Sequence, residues 1–241
     1  VEARGAPRRE VRVTATLTAA PPRFRFVPLH ASTAGQDAID LGIGAGLVLD
    51  EWQRDVILGS MAKRADGKWA AKQVGLVVPR QNGKGGILEC RQLWGLYLNK
   101  RDRLQTMTAH RFDTCLDHFN RVVRLIEDTP ELLELVKDNG RGIGDRPSGI
   151  KDSNGKEGIV LKDGSELRFK TRVKGSGRGA SGDAVYFDEA YYLLDLGSLV
   201  PSLSARVDPQ VWFTSSAPLP QVESNLLRQM VRRGRKLAEA A

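Results

Sequence analysis

Between Pro79 and Gly86 the chain reads PRQNGKGG, directly after the apolar run QVGLVV. A lysine set among glycines suits the binding of phosphate. Backbone N–H groups at Gly83, Gly85 and Gly86 can turn inward on a phosphate, the first turn of a following helix adds positive potential, and Lys84 can reach the β- and γ-phosphates. The pattern G-x-x-x-x-G-K-[ST] would place glycine at Val78 and a hydroxyl at Gly85, so the match is incomplete. By itself the segment also fits an ordinary polar turn between a strand and a helix. Further along, the apolar run AVYF ends in Asp188 and Glu189. Adjacent acids at the end of a buried strand can divide two tasks, Asp188 holding a divalent metal and Glu189 polarising an attacking water. By itself the pair also fits a helix cap. Loop and pair in this order point to nucleotide hydrolysis, with ATP and Mg2+ as the ligands.

The elements that must hold these residues follow from periodicity. Residues 1–46 are rich in Ala, Pro, Arg, Gly and Thr without a sustained period and read as an extended arm with at most one short strand. Asp50 can cap a helix over EWQRDVILGSMAKR that turns Trp52, Val56, Gly59 and Met61 to one side. QVGLVV reads as a short, wholly buried strand. The spacing of Ile87, Cys90, Leu93, Trp94 and Tyr97 predicts a helix from about Gly83 to Leu98. LQTMTA is a second strand, RFDTCLDHFNRVVRLIED a second helix, and TPELLELV a third with Pro130 in its first turn. GIVLKDGSELRFKTR predicts a β-hairpin about Asp163-Gly164, DAVYFDEA and PQVWFTSSA two more strands, and residues 221–241 a basic helical tail. Alternating strands and helices imply an α/β fold, a mostly parallel central sheet flanked by helices with an inserted hairpin. Its ligand should lie at the carboxyl ends of the strands.

At 241 residues the chain can bury a substantial core, and 41% apolar with 27% charged residues is ordinary globular composition. A net charge of +8 biases it toward polyanions such as nucleic acid. The basic residues gather in Arg4 to Arg12, Arg168 to Gly179 and Arg232 to Lys236, clusters that read first as solvated faces or flexible ends. Cys90 and Cys115 lie far apart and read as free thiols of a reducing cytosol; His30, His110 and His118 are too scattered for a metal centre. No run of 18 apolar residues is present, which argues against a membrane-spanning helix.

The form PRQNGK, joined to WQRDVI upstream, SGRGASGDAVYFDEA in the middle and WFTSSAP downstream, resembles the large terminase subunits that pump DNA into viral procapsids. The likeness runs from Leu47 to Pro218. It implies an ATPase domain over residues 47–220, a P-loop NTPase of the ASCE type, with residues 221–241 as a tail or lid segment. It further implies that Gln53 reads the adenine edge beside Trp52, that Pro79, Arg80, Gln81 and Asn82 complete the phosphate loop, and that Arg80 approaches the γ-phosphate. Arg178 resembles an arginine finger offered to a neighbouring subunit, and Thr214, Ser215 and Ser216 resemble the coupling motif that senses the γ-phosphate. Double-stranded DNA, the portal protein, the small terminase subunit and sister subunits in a ring are the implied partners, in the host cytoplasm. With glycine at position 85, Mg2+ would rely on Asp188, phosphate oxygens and water. Only 23 residues follow Pro218, so the chain reads as the motor without the nuclease domain of such subunits. A helicase-like nucleic-acid-dependent ATPase, and a nucleotide-binding module that does not hydrolyse, remain the alternatives.

Overall fold

The computed structural model describes residues 22–142, 146–153, 155–172, 181–193, 203–216 and 224–240. Nine strands are described: β1 (Ser32–Thr33), β2 (Ala62–Lys63), β3 (Gln73–Val77), β4 (Leu104–Ala109), β5 (Ile150–Lys151), β6 (Gly158–Val160), β7 (Glu166–Thr171), β8 (Ala184–Phe187) and β9 (Gln210–Ser215). The helices are α1 (Gly35–Gly44), α2 (Glu51–Ser60), α3 (Lys84–Tyr97), α4 (Phe112–Glu127), α5 (Pro130–Glu134) and α6 (Asn225–Glu239).

Seven strands form one sheet in the order β3-β9-β8-β4-β7-β6-β5. The first five are mutually parallel, while β6 and β5 extend one edge antiparallel. The hairpin β6–β7 turns at Asp163-Gly164, where Gly164 takes φ +85°. Strands β8, β4 and β9 lie inside the sheet and are buried almost throughout. β3 departs from the expectation of a wholly buried strand: its residues alternate between exposed and buried. It is the edge strand and pairs only with β9, and a Cβ added at Gly75 on its open face would lie 3.5 Å from the Met230 Cε of α6.

The expected extended character of residues 1–46 fails at Gly35–Gly44, which is α1. Gly35, Ala38, Ile39 and Gly42 form its buried stripe, small residues that let helices approach closely. A Cβ at Gly35 would lie 2.6 Å from the Leu58 Cα on α2, and one at Gly42 3.1 Å from the Cys90 Sγ on α3. β1 pairs with β2, so this segment is tied to the body at two places. The most deeply buried residues of α2 are Gln53, Ile57 and Ser60, followed by Met61, while Trp52 and Val56 pack half-buried against the core.

Helix α3 is buried on nearly every side, including Glu89, Arg91 and Gln92. Arg91 lies 2.7 Å from Asp102 and 5.1 Å from the rings of both Trp69 and Trp94, so its charge is matched and its flat faces are covered. Cys90 and Cys115 are buried free thiols, each pushed up to about 12 by burial. No helix among the described residues is long and apolar enough to cross a membrane.

Candidate active site

The carboxyl ends of β3, β9 and β8 bring the two sequence segments together. After Val77 the chain turns through 78–83 into α3, with Gln81 at φ +60° and Gly83, the residue before the helix, at φ +71°. Glycine at 83 also leaves room for Gln53: a Cβ there would lie 2.7 Å from its Nε2 and push that amide aside. Val78 N–H donates to the Ser215 carbonyl at 3.1 Å, fastening the start of the loop to the end of β9.

From α3, Lys84 extends to Asp188, Nζ to Oδ1 3.4 Å. The same oxygen accepts from Thr214 Oγ1 at 2.9 Å and from the Glu189 N–H at 2.8 Å. Asp188 is nearly buried and Thr214 fully so. One carboxylate oxygen thus gathers a cation, a hydroxyl and an amide from three different segments. Glu189 takes φ +52°, ψ +44°, a left-handed conformation that costs a non-glycine residue on the order of 1 kcal/mol or more. Its Oε2 is buried and has no hydrogen-bond partner among the described residues. Mg2+ commonly takes one or two carboxylates and completes its shell with phosphate oxygens and water. Asp188, a single carboxylate at the strand end, fits that habit; no cluster of three or more metal-ligating side chains occurs among the described residues.

Gln53 stands beside the loop but is committed there. Its Oε1 accepts from the Asp50 N–H at 2.6 Å and its Nε2 donates to the Gly83 carbonyl at 2.7 Å, bracing the start of α2 against the 78–83 loop. One N–H and one lone pair of the amide remain for a ligand. Trp52 packs half-buried against the core. Pro79, Arg80, Gln81 and Asn82 lie on the outer side of the loop, and Gly85 and Gly86 are partly covered in the first turn of α3. Burial and Tyr192 push the Tyr191 hydroxyl up to about 12, with Arg80 pulling the other way. Ser215 is buried and donates to the Ser216 carbonyl at 2.8 Å. Arg178 lies outside the described residues.

Sequence reasoning missed Arg172. Within the cluster Arg168 to Gly179 it reads as solvated, yet it is 6% exposed at the end of β7. Its Nη1 donates to the Thr108 carbonyl and hydroxyl, both at 3.0 Å, and its Nη2 to the carbonyls of Asp188 at 2.7 Å and Glu189 at 3.1 Å. Burial lowers its pKa to about 10, against the opposing pull of Glu189 and Asp188, so it stays charged at neutral pH. A second cluster missed in the sequence lies behind α3. Glu89 accepts from Arg121 Nε at 2.6 Å, Arg121 Nη2 meets His118 Nδ1 at 3.1 Å, and His118 Nε2 meets the Gln92 Oε1 at 2.8 Å. The only sequence sign of that network was charge and amide at inward positions of predicted helices.

A mostly parallel α/β sheet with a glycine-lysine loop after its edge strand, an acid pair two strands away and one strand between them is the fold of the P-loop ASCE type. Within that class the chain matches ATPase domains of phage large terminases. It superposes on the large terminase of bacteriophage HK97 with TM-score 0.62 at 18% identity, over 85% of this chain and 42% of that one. On the large terminase ATPase domain of Thermus phage P74-26 the TM-score is 0.50 at 20% identity, over 81% of this chain and 72% of that one. The match to the HK97 protein therefore spans less than half of its length. No protein-family profile and no curated protein matches the sequence.

Proposed function

We propose that the chain is the ATP-hydrolysing motor domain of a phage large terminase, driving double-stranded DNA into a procapsid. The observation that carries this reading is the meeting of Lys84, Asp188 and Thr214 at one oxygen, on the terminase ATPase fold. The loop N–H groups at Gly83 and Gly85, with Lys84, bind the β- and γ-phosphates, while Arg80 covers the outer phosphate from the loop's exposed side. Asp188 would hold Mg2+, which when bound neutralises charge on the phosphate oxygens. Glu189 takes a proton from the attacking water, and its open Oε2 is the acceptor atom. Thr214 is hydrogen-bonded to the acid and Ser215 accepts from the loop through its carbonyl, so the end of β9 feels both halves of the site. Arg178 would come from one subunit to its neighbour's nucleotide, in a ring that also meets the portal and the small subunit. DNA is held by phosphate contacts without base reading.

The test is ATP turnover and ADP binding by the purified chain, with Lys84→Ala and Glu189→Gln in parallel. Lys84→Ala should lose both binding and turnover, whereas Glu189→Gln should keep binding and lose turnover. Turnover stimulated by duplex DNA without strand separation distinguishes a packaging motor from a helicase-like ATPase. Nucleotide binding with no turnover under any condition would favour a non-hydrolysing module.

A further inference from the structure

The residue after Lys84 is where the phosphate-loop pattern places a metal-directed hydroxyl. Here it is Gly85, and the space a side chain would fill is taken. A Cβ on Gly85 would lie 3.0 Å from the Arg121 Nη2 and 3.3 Å from the Glu89 Oε1. Arg121 comes from α4, yet its guanidinium lies against the first turn of α3, one residue from Lys84. Glu89 sits one helical turn beyond Gly85 and fixes the guanidinium through Nε at 2.6 Å; His118 fixes Nη2 at 3.1 Å. His118 is fully buried and flanked by Arg121, Glu89 and Gln92, with Nε2 set against the Gln92 Oε1, so Nδ1 is the atom left to accept from Arg121. These two bonds use two of the five guanidinium N–H groups. Half of the Arg121 side chain is exposed, and it borders an open cleft of about 440 Å³ between the 44–47 turn and α4.

We infer that Arg121 is a phosphate-binding residue of this nucleotide site, a fixed guanidinium standing where the loop pattern has a metal-bound hydroxyl. The inference rests on the reading of 79–86 as a phosphate loop. A guanidinium binds phosphate oxygens through paired N–H groups and keeps its charge at every relevant pH. A hydroxyl, by contrast, acts here only through a metal. Nucleotide binding by this chain should therefore keep a component that needs no divalent ion, and glycine at 85 is the residue that admits the guanidinium.

The experiment measures ADP affinity by calorimetry, in MgCl2 and in EDTA. Five proteins are compared: wild type, Lys84→Ala, Gly85→Ser, the double variant Glu89→Gln/Arg121→Gln, and Gly85→Ser combined with that double variant. The double variant removes the pair together, so no buried carboxylate is left without its partner, and circular dichroism and thermal melting check that it folds. Wild type should bind ADP in EDTA, and the double variant should bind at least ~10-fold more weakly there, the loss expected for one charge-assisted hydrogen bond. Gly85→Ser should also weaken binding in EDTA, because its Cβ would press on the guanidinium at 3.0 Å and shift it. Gly85→Ser placed in the double variant should restore binding in MgCl2 and not in EDTA. A folded double variant that binds ADP as wild type does in both conditions would overturn the role given to Arg121 and leave it a structural partner of Glu89. If the double variant does not fold, Gly85→Ser decides the matter, and its unchanged affinity in EDTA would overturn the inference equally. Wild type and Lys84→Ala that both fail to bind ADP would overturn the phosphate-loop reading itself, an outcome distinct from failure at Arg121 alone.

Discussion

Arg172 Nη2 donates to the backbone carbonyl of Asp188 at 2.7 Å, binding the end of one strand to the peptide that carries the acid pair. With its bonds to Glu189 and Thr108, this guanidinium holds the left-handed turn at Glu189 in place without touching the carboxylates' outer atoms. Arg172→Lys keeps the charge but loses the planar fork. We expect kcat to fall by roughly tenfold to a hundredfold with KM for ATP nearly unchanged, because orientation of Glu189 is lost while the phosphate loop is intact. Stability should drop by about 1–3 kcal/mol from the unsatisfied buried carbonyls. Steady-state kinetics and urea unfolding on the same preparation check both; a change confined to KM would refute the positioning role.

His118 gives the fold an acid sensitivity. Burial, and then Arg121 and Lys84, push its pKa down to about 3, whereas in the unfolded chain it lies near 6.5. Between those values the unfolded state binds the extra proton, so this contribution is whole above about pH 6.5 and is lost as pH falls toward 3. The limiting slope is about 1.4 kcal/mol per pH unit. Urea midpoints at about pH 7.5 and about pH 5.5 should separate more in wild type than in His118→Gln, which cannot take up that proton. Equal separations would contradict a neutral His118.

The approach of α1 to α2 allows no side chain at Gly35. Gly35→Ala places a methyl 2.6 Å from the Leu58 Cα and 2.9 Å from the Ile57 carbonyl oxygen, so backbone must move. We expect a loss of about 1–3 kcal/mol. Gly44→Ala, with nothing within 4 Å, should be neutral or gain up to about 1 kcal/mol from helix propensity. Denaturant midpoints at constant m-value provide the comparison.

On α6, Arg228, Arg232, Arg233, Arg235 and Lys236 lie on the outer side, and none is ion-paired among the described residues; Arg235 lies over the Phe24 ring at 5.0 Å. They crowd the side opposite the buried Leu227. If this face follows a duplex, replacing Arg228, Arg232 and Arg233 by glutamine should weaken duplex binding alike on unrelated sequences. It should also flatten the salt dependence by roughly 0.9 for each phosphate no longer neutralised. Fluorescence anisotropy across a salt series measures it, and an unchanged slope would remove α6 from the DNA-binding surface.

The parts legible in the sequence were those written in residue type. A lysine among glycines after an apolar run, and two acids closing another, define strand ends whatever the tertiary context. The hairpin at Asp163-Gly164 was legible for the same reason. What stayed hidden depends on how distant segments meet. The stripe of Gly35, Ala38 and Gly42 carries little hydrophobicity and marks a helix only once a neighbour approaches. Arg172 and Arg121 resemble surface charges until the carbonyls and carboxylate that receive them are known. Gln53 shows in the sequence as a polar helix residue, and its two bonds to Asp50 and Gly83 arise only where α2 meets the loop.

Strand β9 lies between β3 and β8, paired Val77 to Ser215 on one side and Phe187 to Phe213 on the other. Neighbouring strands keep a spacing of about 4.8 Å, so the lysine-bearing loop and the acid pair are anchored on backbones about 10 Å apart. That width is set by two complete hydrogen-bonded ladders and is as inextensible as the sheet. The site therefore cannot breathe by spreading its walls. Whatever opens or closes here must be a swing of side chains such as Lys84, a flexing of the turns beyond Val77 and Phe187, or a tilt of the sheet edge carried rigidly with β9 as its spacer.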